Sequence, residues 1–200
     1  MRSVLFAYSD VGYVCLDVPE AIWSNLGLTY LAHTHIDTIW TKQGVKLPQL
    51  EWQEVGGVFQ IQRTLPNGIV FAVEAAPQRD HVALKMTLKN GTTETLSDLR
   101  VQMCAMLKGA HGFESQINDN KVFEPPFAAC RDVSGKRWII HAWRPIHRAW
   151  GNAPCPCLHA DPKFPDCPPG ETREIYGWLS FFEGDDVRSE FRRIETTWKR

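Results

Sequence analysis

The sequence predicts an all-β protein, an antiparallel β-sandwich carrying one C-terminal amphipathic helix. Four successive segments, 58–65, 69–75, 81–89 and 98–107, read as strands. The last two alternate with a period of two, placing Val82, Leu84, Met86 and Leu88, then Leu99, Val101, Met103, Ala105 and Leu107, on a buried face. Turn sequences separate them. Pro66-Asn67-Gly68 and Asn90-Gly91-Thr92 supply residues that tolerate the positive φ of a tight hairpin. The helical period enters only at the end, where Val187, Phe191, Ile194 and Trp198 recur at i, i+4, i+7 and i+11.

The remaining elements follow in order. Residues 2–8 and 12–18 form a hairpin about Ser9-Asp10-Val11-Gly12, which Pro19 ends. Residues 28–40 read as a strand rich in β-branched and aromatic side chains, and Lys42 to Pro48 as a surface loop. Residues 109–135 are irregular, with Pro125-Pro126 and Ser134-Gly135 as breaks, before strands return at 137–144 and 172–183. Between these two lies a long Pro- and Cys-rich stretch, 145–170, read as a loop. The helix spans about 185–198, with Asp185 as its N-cap. No linker or internal repeat divides the chain, so residues 1–200 read as a single domain.

Composition narrows the function. A net charge of −1 offers no general attraction to nucleic acid or to an anionic membrane. No apolar run reaches the length of a bilayer span, and no signal peptide is visible, so the chain as given reads as cytoplasmic, or as secreted if a leader was removed. The phosphate-cradling glycine loop, the Gly-x-Ser-x-Gly elbow and the dinucleotide fingerprint are all missing. Asn90-Gly91-Thr92 also matches a glycosylation acceptor, a frequent chance match that is set aside. Cys15, Cys104 and Cys130 read as small buried side chains.

Four groups of residues can carry chemistry. On a strand, His33 and His35 project to one side with Asp37, and two imidazoles there suit a divalent transition metal (Zn, Fe, Mn or Cu). His141 and His159 are the histidines placed to join them, His159 as a ligand and His141 as a ligand or acid–base. Cys155-Pro-Cys157-Leu-His159-Ala-Asp161, followed by Cys167, admits three uses: zinc ligands, a Cys157–Cys167 disulfide, or a lid bringing His159 and Asp161 to the His33 face. Glu183, beside Phe181 and Phe182, is the acid placed for a raised pKa and catalysis. Eight tryptophans offer sugar-stacking surface, with Trp40, Trp143 and Trp178 foremost, Trp52 and Trp150 beside them, and Gln60 and Gln62 as hydrogen-bonding partners.

Gly27, His33 and His35 match the opening of the first motif of the cupins, a jelly-roll family with metal-dependent members, which this stretch resembles. Ile39 and Trp40 stand where that motif continues with Glu, and Pro168-Pro169-Gly170 followed by Arg173 stands where the second motif has Pro-x-Gly and a later His. The run of antiparallel strands, the tryptophans, and the histidines and acids on one sheet also resemble galactose-mutarotase-like sugar-acting β-sandwiches. These resemblances imply a jelly-roll or mutarotase-like sandwich and a carbohydrate or related polyol as ligand. The expectation is a carbohydrate-active enzyme with a His-based metal site. The alternatives are a metal-independent lyase, epimerase or hydrolase using His and Glu, and a non-catalytic carbohydrate-binding module.

Overall fold

The computed structural model describes residues 2–8, 12–33 and 35–198. Its strands are β1 (Arg2–Tyr8), β2 (Gly12–Ser24), β3 (Gly27–Leu31), β4 (Gln53–Val55), β5 (Val58–Thr64), β6 (Val70–Pro77), β7 (His81–Lys89) and β8 (Arg100–Met106). They continue as β9 (Lys121–Glu124), β10 (Phe127–Arg131), β11 (Arg137–Arg144), β12 (Ile146–Trp150), β13 (Cys157–Pro162) and β14 (Thr172–Glu183), followed by helix α1 (Val187–Thr197). The smaller sheet runs β1-β2-β8-β13-β12 with β3 also paired to β2, and the larger runs β4-β5-β6-β7-β14-β11-β10-β9. Each pairing is antiparallel, and the all-β sandwich with one C-terminal helix is what the alternating segments predict.

Alternation along the strands builds the core. Leu16, Ala105 and Leu158 on adjacent strands of the smaller sheet meet Ile61, Phe71, Met86 and Ile139 from the larger one. Gly68, at φ +88°, closes the β5–β6 hairpin, and Gly91 lies so close that a Cβ there would meet Gly68 O at 2.1 Å. Gly177 is required for a different reason: Trp143, its partner across β11 and β14, lies where a Cβ would be. Asn90 is fully buried and its amide donates to Glu94 O and Cys167 O, so the apparent glycosylation acceptor is a structural corner.

Four expectations need correction. The strand at 28–40 ends at Leu31; Ala32 N–H donates to Glu20 O, and the chain loops out before Ile39 N–H returns to Leu28 O. Residues 145–170 are not one loop, because β12 and β13 pair there and join the smaller sheet. Irregular 109–135 contains the β9–β10 hairpin about Pro125-Pro126. The helix cap is Asp186 rather than Asp185, its carboxylate accepting from the Arg188 and Ser189 amides. The turn expected at Ser9-Asp10-Val11 lies outside the described residues. No helix among the described residues is long and apolar enough to cross a membrane.

Candidate metal centre and the adjoining cleft

Because Leu16, Ala105 and Leu158 face the core, the residues after or before them face away. Cross-strand register then sets Asp17, Cys104, His159 and Trp150 in one row across β2, β8, β13 and β12, on the outer face of the smaller sheet. Cys157 is two residues from His159 and shares that face, opposite Met106. Cys104, Cys157 and His159 thus converge, with one ligand atom of each within 4.8 Å of the others, and all three are buried.

The surroundings are ordered for a charged centre. Cys157 Sγ and His159 Nε2 are 3.3 Å apart. Trp150 stacks on the His159 ring at 4.1 Å between centroids. His159 Nδ1 is buried without a hydrogen-bond partner, with Glu20 Oε2 at 3.8 Å and Asp161 Oδ1 at 3.9 Å. Asp161 is fixed by Met103 N–H at 3.0 Å, Arg148 Nε at 2.8 Å and Trp150 Nε1 at 2.7 Å. Gln102 donates to Glu20 Oε2 at 2.9 Å.

Electrostatics divide the two thiols. Cys157 is held below the usual thiol range by the hydrogen bond from Cys104 and, against its own burial, by His159. Cys104 is pushed up by that same hydrogen bond and by burial. Burial pulls His159 down, but the hydrogen bond and charge of Cys157, with Asp161 and Glu20, outweigh it and leave its pKa raised. Two sulfurs and an imidazole, one thiol with its pKa lowered, form a donor set suited to zinc. The carboxylates beside Nδ1 stand where a ligating histidine usually finds an outer partner. Cys155, half-buried beside Cys157, has its thiol pushed up to about 11, mostly by burial.

Next to this face opens a cleft of about 750 Å³, walled by Asp17, Tyr30, Trp52, Thr38 and Thr41 with Arg63 among its lining. Asp17 belongs to both places: it is in register with Cys104 and its Oδ2 lies 3.1 Å from His33 Nε2.

The residues singled out from sequence scatter. His159 joins the centre, but with two cysteines. His33 pairs with Asp17 at the cleft wall, and His35 is exposed, its ring 6.1 Å from that of His33, because the strand that would align them has ended. His141 is fully buried on the core face of β11, accepting from Trp143 Nε1 at 2.8 Å. Glu183 is exposed at the end of β14, opposite Arg137, rather than enclosed by Phe181 and Phe182. Trp40 is buried and donates to Thr29 O, Trp143 fills the core, and Trp178 lies beneath α1 against His81. Gln60 and Gln62 alternate with Ile61 and Arg63, so they face away from the cleft. Cys157 and Cys167 are not joined; no disulfide links any of the six cysteines, and Cys167 Sγ donates to Glu171 O.

Cys104 is the member of this cluster that sequence reasoning missed. It sits between Met103 and Ala105, whose core positions assign it to the polar face with Gln102. A cysteine on the polar side of an amphipathic strand was the available signal.

No family model matches the chain, and no curated protein sequence matches it. Among solved structures, the Slr1438 protein from Synechocystis sp. PCC 6803 is 11% identical with a TM-score of 0.46, the match covering 67% of this chain and 66% of that one. A protein described as a kojibiose phosphorylase, from the human microbiome, is 9% identical with a TM-score of 0.49, covering 70% of this chain and 20% of that one. The chain therefore spans just under two thirds of the first and one fifth of the second. Similarity at this level places no activity on the chain.

Proposed function

We propose that this protein is a metal-dependent enzyme acting on a carbohydrate or related polyol, with Cys104, Cys157 and His159 as the ligands of one divalent transition ion. The observation that carries the reading is the convergence of those three buried donors within 4.8 Å. Burying two thiols and an imidazole away from the core, beside carboxylates, costs stability unless a partner draws on them. A metal bound there would supply Lewis acidity toward a substrate oxygen.

The chain's own residues account for the rest. Trp150 stacks on the face of the His159 ring, and Asp161 and Glu20 set negative charge near its Nδ1 edge. The cleft at Asp17 is large enough for one or two sugar rings, with Trp52 as a flat surface and Thr41 as a hydroxyl partner. His33, hydrogen-bonded to Asp17, is placed to give or take a proton at that wall through its imidazole.

Elemental analysis of protein purified without chelators tests the reading. The expected result is close to one equivalent of metal, zinc foremost, falling at least tenfold in His159→Ala and Cys157→Ser. Wild-type protein free of metal at stoichiometric level overturns it. Cys155, in contact with Cys157, favours a second reading in which the ion is structural and fully enclosed. X-ray absorption separates the two: two sulfurs, a nitrogen and a light-atom ligand support the enzyme, whereas three sulfurs and a nitrogen support the structural site.

A further inference from the structure

Among the described residues two cations are buried outside the metal centre, and whereas the Lys121 ammonium donates to Ile117 O and Asn118 Oδ1, Arg63 lines the cleft. It lies on β5, the residue only 6% exposed. The groups bonded to it are neutral. Nη2 donates to Pro48 O at 2.8 Å, the guanidinium lies 5.5 Å from the Tyr30 ring centroid, and the Tyr30 hydroxyl is hydrogen-bonded to it. Nε is buried with no acceptor. Among the described residues no carboxylate forms an ion pair with it, and Asp17 at the same cleft is hydrogen-bonded to His33.

A buried guanidinium without a counter-charge is expensive, and an aromatic face and one carbonyl recover only part of the cost. Its planar fork fits a carboxylate with two parallel hydrogen bonds. We infer that the cleft takes a monocarboxylate-bearing, sugar-sized polyol (an acidic sugar), with its carboxylate on Arg63 and its ring against Trp52. A phosphate is disfavoured by the rest of the lining. It carries close to two negative charges, whereas the cleft adds only Lys46 as a further lysine or arginine and already holds Asp17, Asp37 and Glu51.

The inference rests on the reading of the cleft as the substrate site, and the two fail separately. Calorimetric titration of the full chain with D-glucuronate, D-glucose and inorganic phosphate distinguishes them, because the first two differ only in carboxylate against hydroxymethyl. Glucuronate is expected to bind at least tenfold more tightly than glucose, and phosphate not to displace it. In Arg63→Met that preference should fall to within about twofold, and Arg63→Lys, which keeps the charge but loses the fork, should recover only part of it. Melting curves of both variants establish that they fold, and the wild-type comparison stands without them. Equal binding of glucuronate and glucose overturns the inference but leaves the cleft as a sugar site. Binding of neither sugar overturns both, and displacement of glucuronate by phosphate overturns the carboxylate assignment.

Discussion

The two sheets treat their outer faces in opposite ways. On the larger sheet, Phe127, Ala129, Trp138, Ile140 and Trp178 form an apolar surface, and α1 covers it with Val187, Phe191 and Ile194. On the smaller sheet the equivalent face carries Asp17, Gln102, Cys104, Cys157, His159 and Asp161, and α1 packs on the other sheet. Both faces are largely buried, but burial does different work in each. Under the helix it removes hydrocarbon from water and contributes stability. Over the row of thiols, imidazole and carboxylates it removes charge from water, which strengthens every electrostatic contact there and disfavours leaving any group unpaired. One face holds the molecule together, and the other has the makings of a reactive site.

Truncating the stabilising face should have the largest effect. Phe191 stacks on Phe127 at 4.4 Å between ring centroids, almost parallel. Phe191→Ala should cost about 3–5 kcal/mol, read as a lower urea midpoint, and leave metal content per folded molecule unchanged. A loss below about 1 kcal/mol would mean that α1 is an appendage, and the contrast between the faces would collapse.

That stabilising half was legible in the sequence. Val187, Phe191, Ile194 and Trp198 are spaced for one face of a helix, and that face packs where the spacing directs it. The period of two in 81–89 and 98–107 likewise fixed which side chains enter the core. The other half was hidden by two failures of local reading. Seven prolines made 145–170 resemble a loop, although Cys157 to Pro162 has a free run of amides up to its end and pairs with β8 only through residues more than fifty positions earlier. His33 and His35 are β-compatible by pattern, yet their strand stops because Ala32 is drawn to Glu20 across a bulge. The centre is a product of strand order, which three residues on β8 and β13 acquire only when distant strands meet. A local motif such as His-x-His cannot report it.

Between the two faces, the core holds one imidazole whose titration tests how dry that core is. His141 is fully buried on β11, and burial, with a smaller contribution from the positive charge of His159, lowers its pKa to about 3. Its Nε2 accepts from Trp143, so the neutral ring carries its proton on Nδ1. The unfolded chain takes up a proton below its ordinary 6.5, whereas the folded protein refuses one until about 3. Stability from this group is therefore intact above 6.5 and is lost as the pH falls through that window, by about 2 kcal/mol at pH 5. In His141→Gln, which can still accept from Trp143, urea midpoints between pH 7 and pH 5 should fall less steeply than in the wild type by that amount. Parallel slopes would mean that water reaches His141 and that the core is not the barrier separating the faces.

The smallest effect tests whether the helix holds the larger sheet or the sheet holds the helix. Asp186 accepts from the Arg188 and Ser189 amides at 3.0 and 3.2 Å, satisfying donors that the first turn cannot pair internally. An eleven-residue helix is marginal on its own, so its apolar stripe must supply most of its stability. Asp186→Ala should then cost about 1 kcal/mol, well short of the loss at Phe191, and Asp186→Asn should restore most of it because an amide oxygen can still accept. Were the cap to cost as much as the stripe, local helix formation would be limiting, and the larger sheet would owe its closed outer face to the cap rather than to the hydrocarbon beneath it.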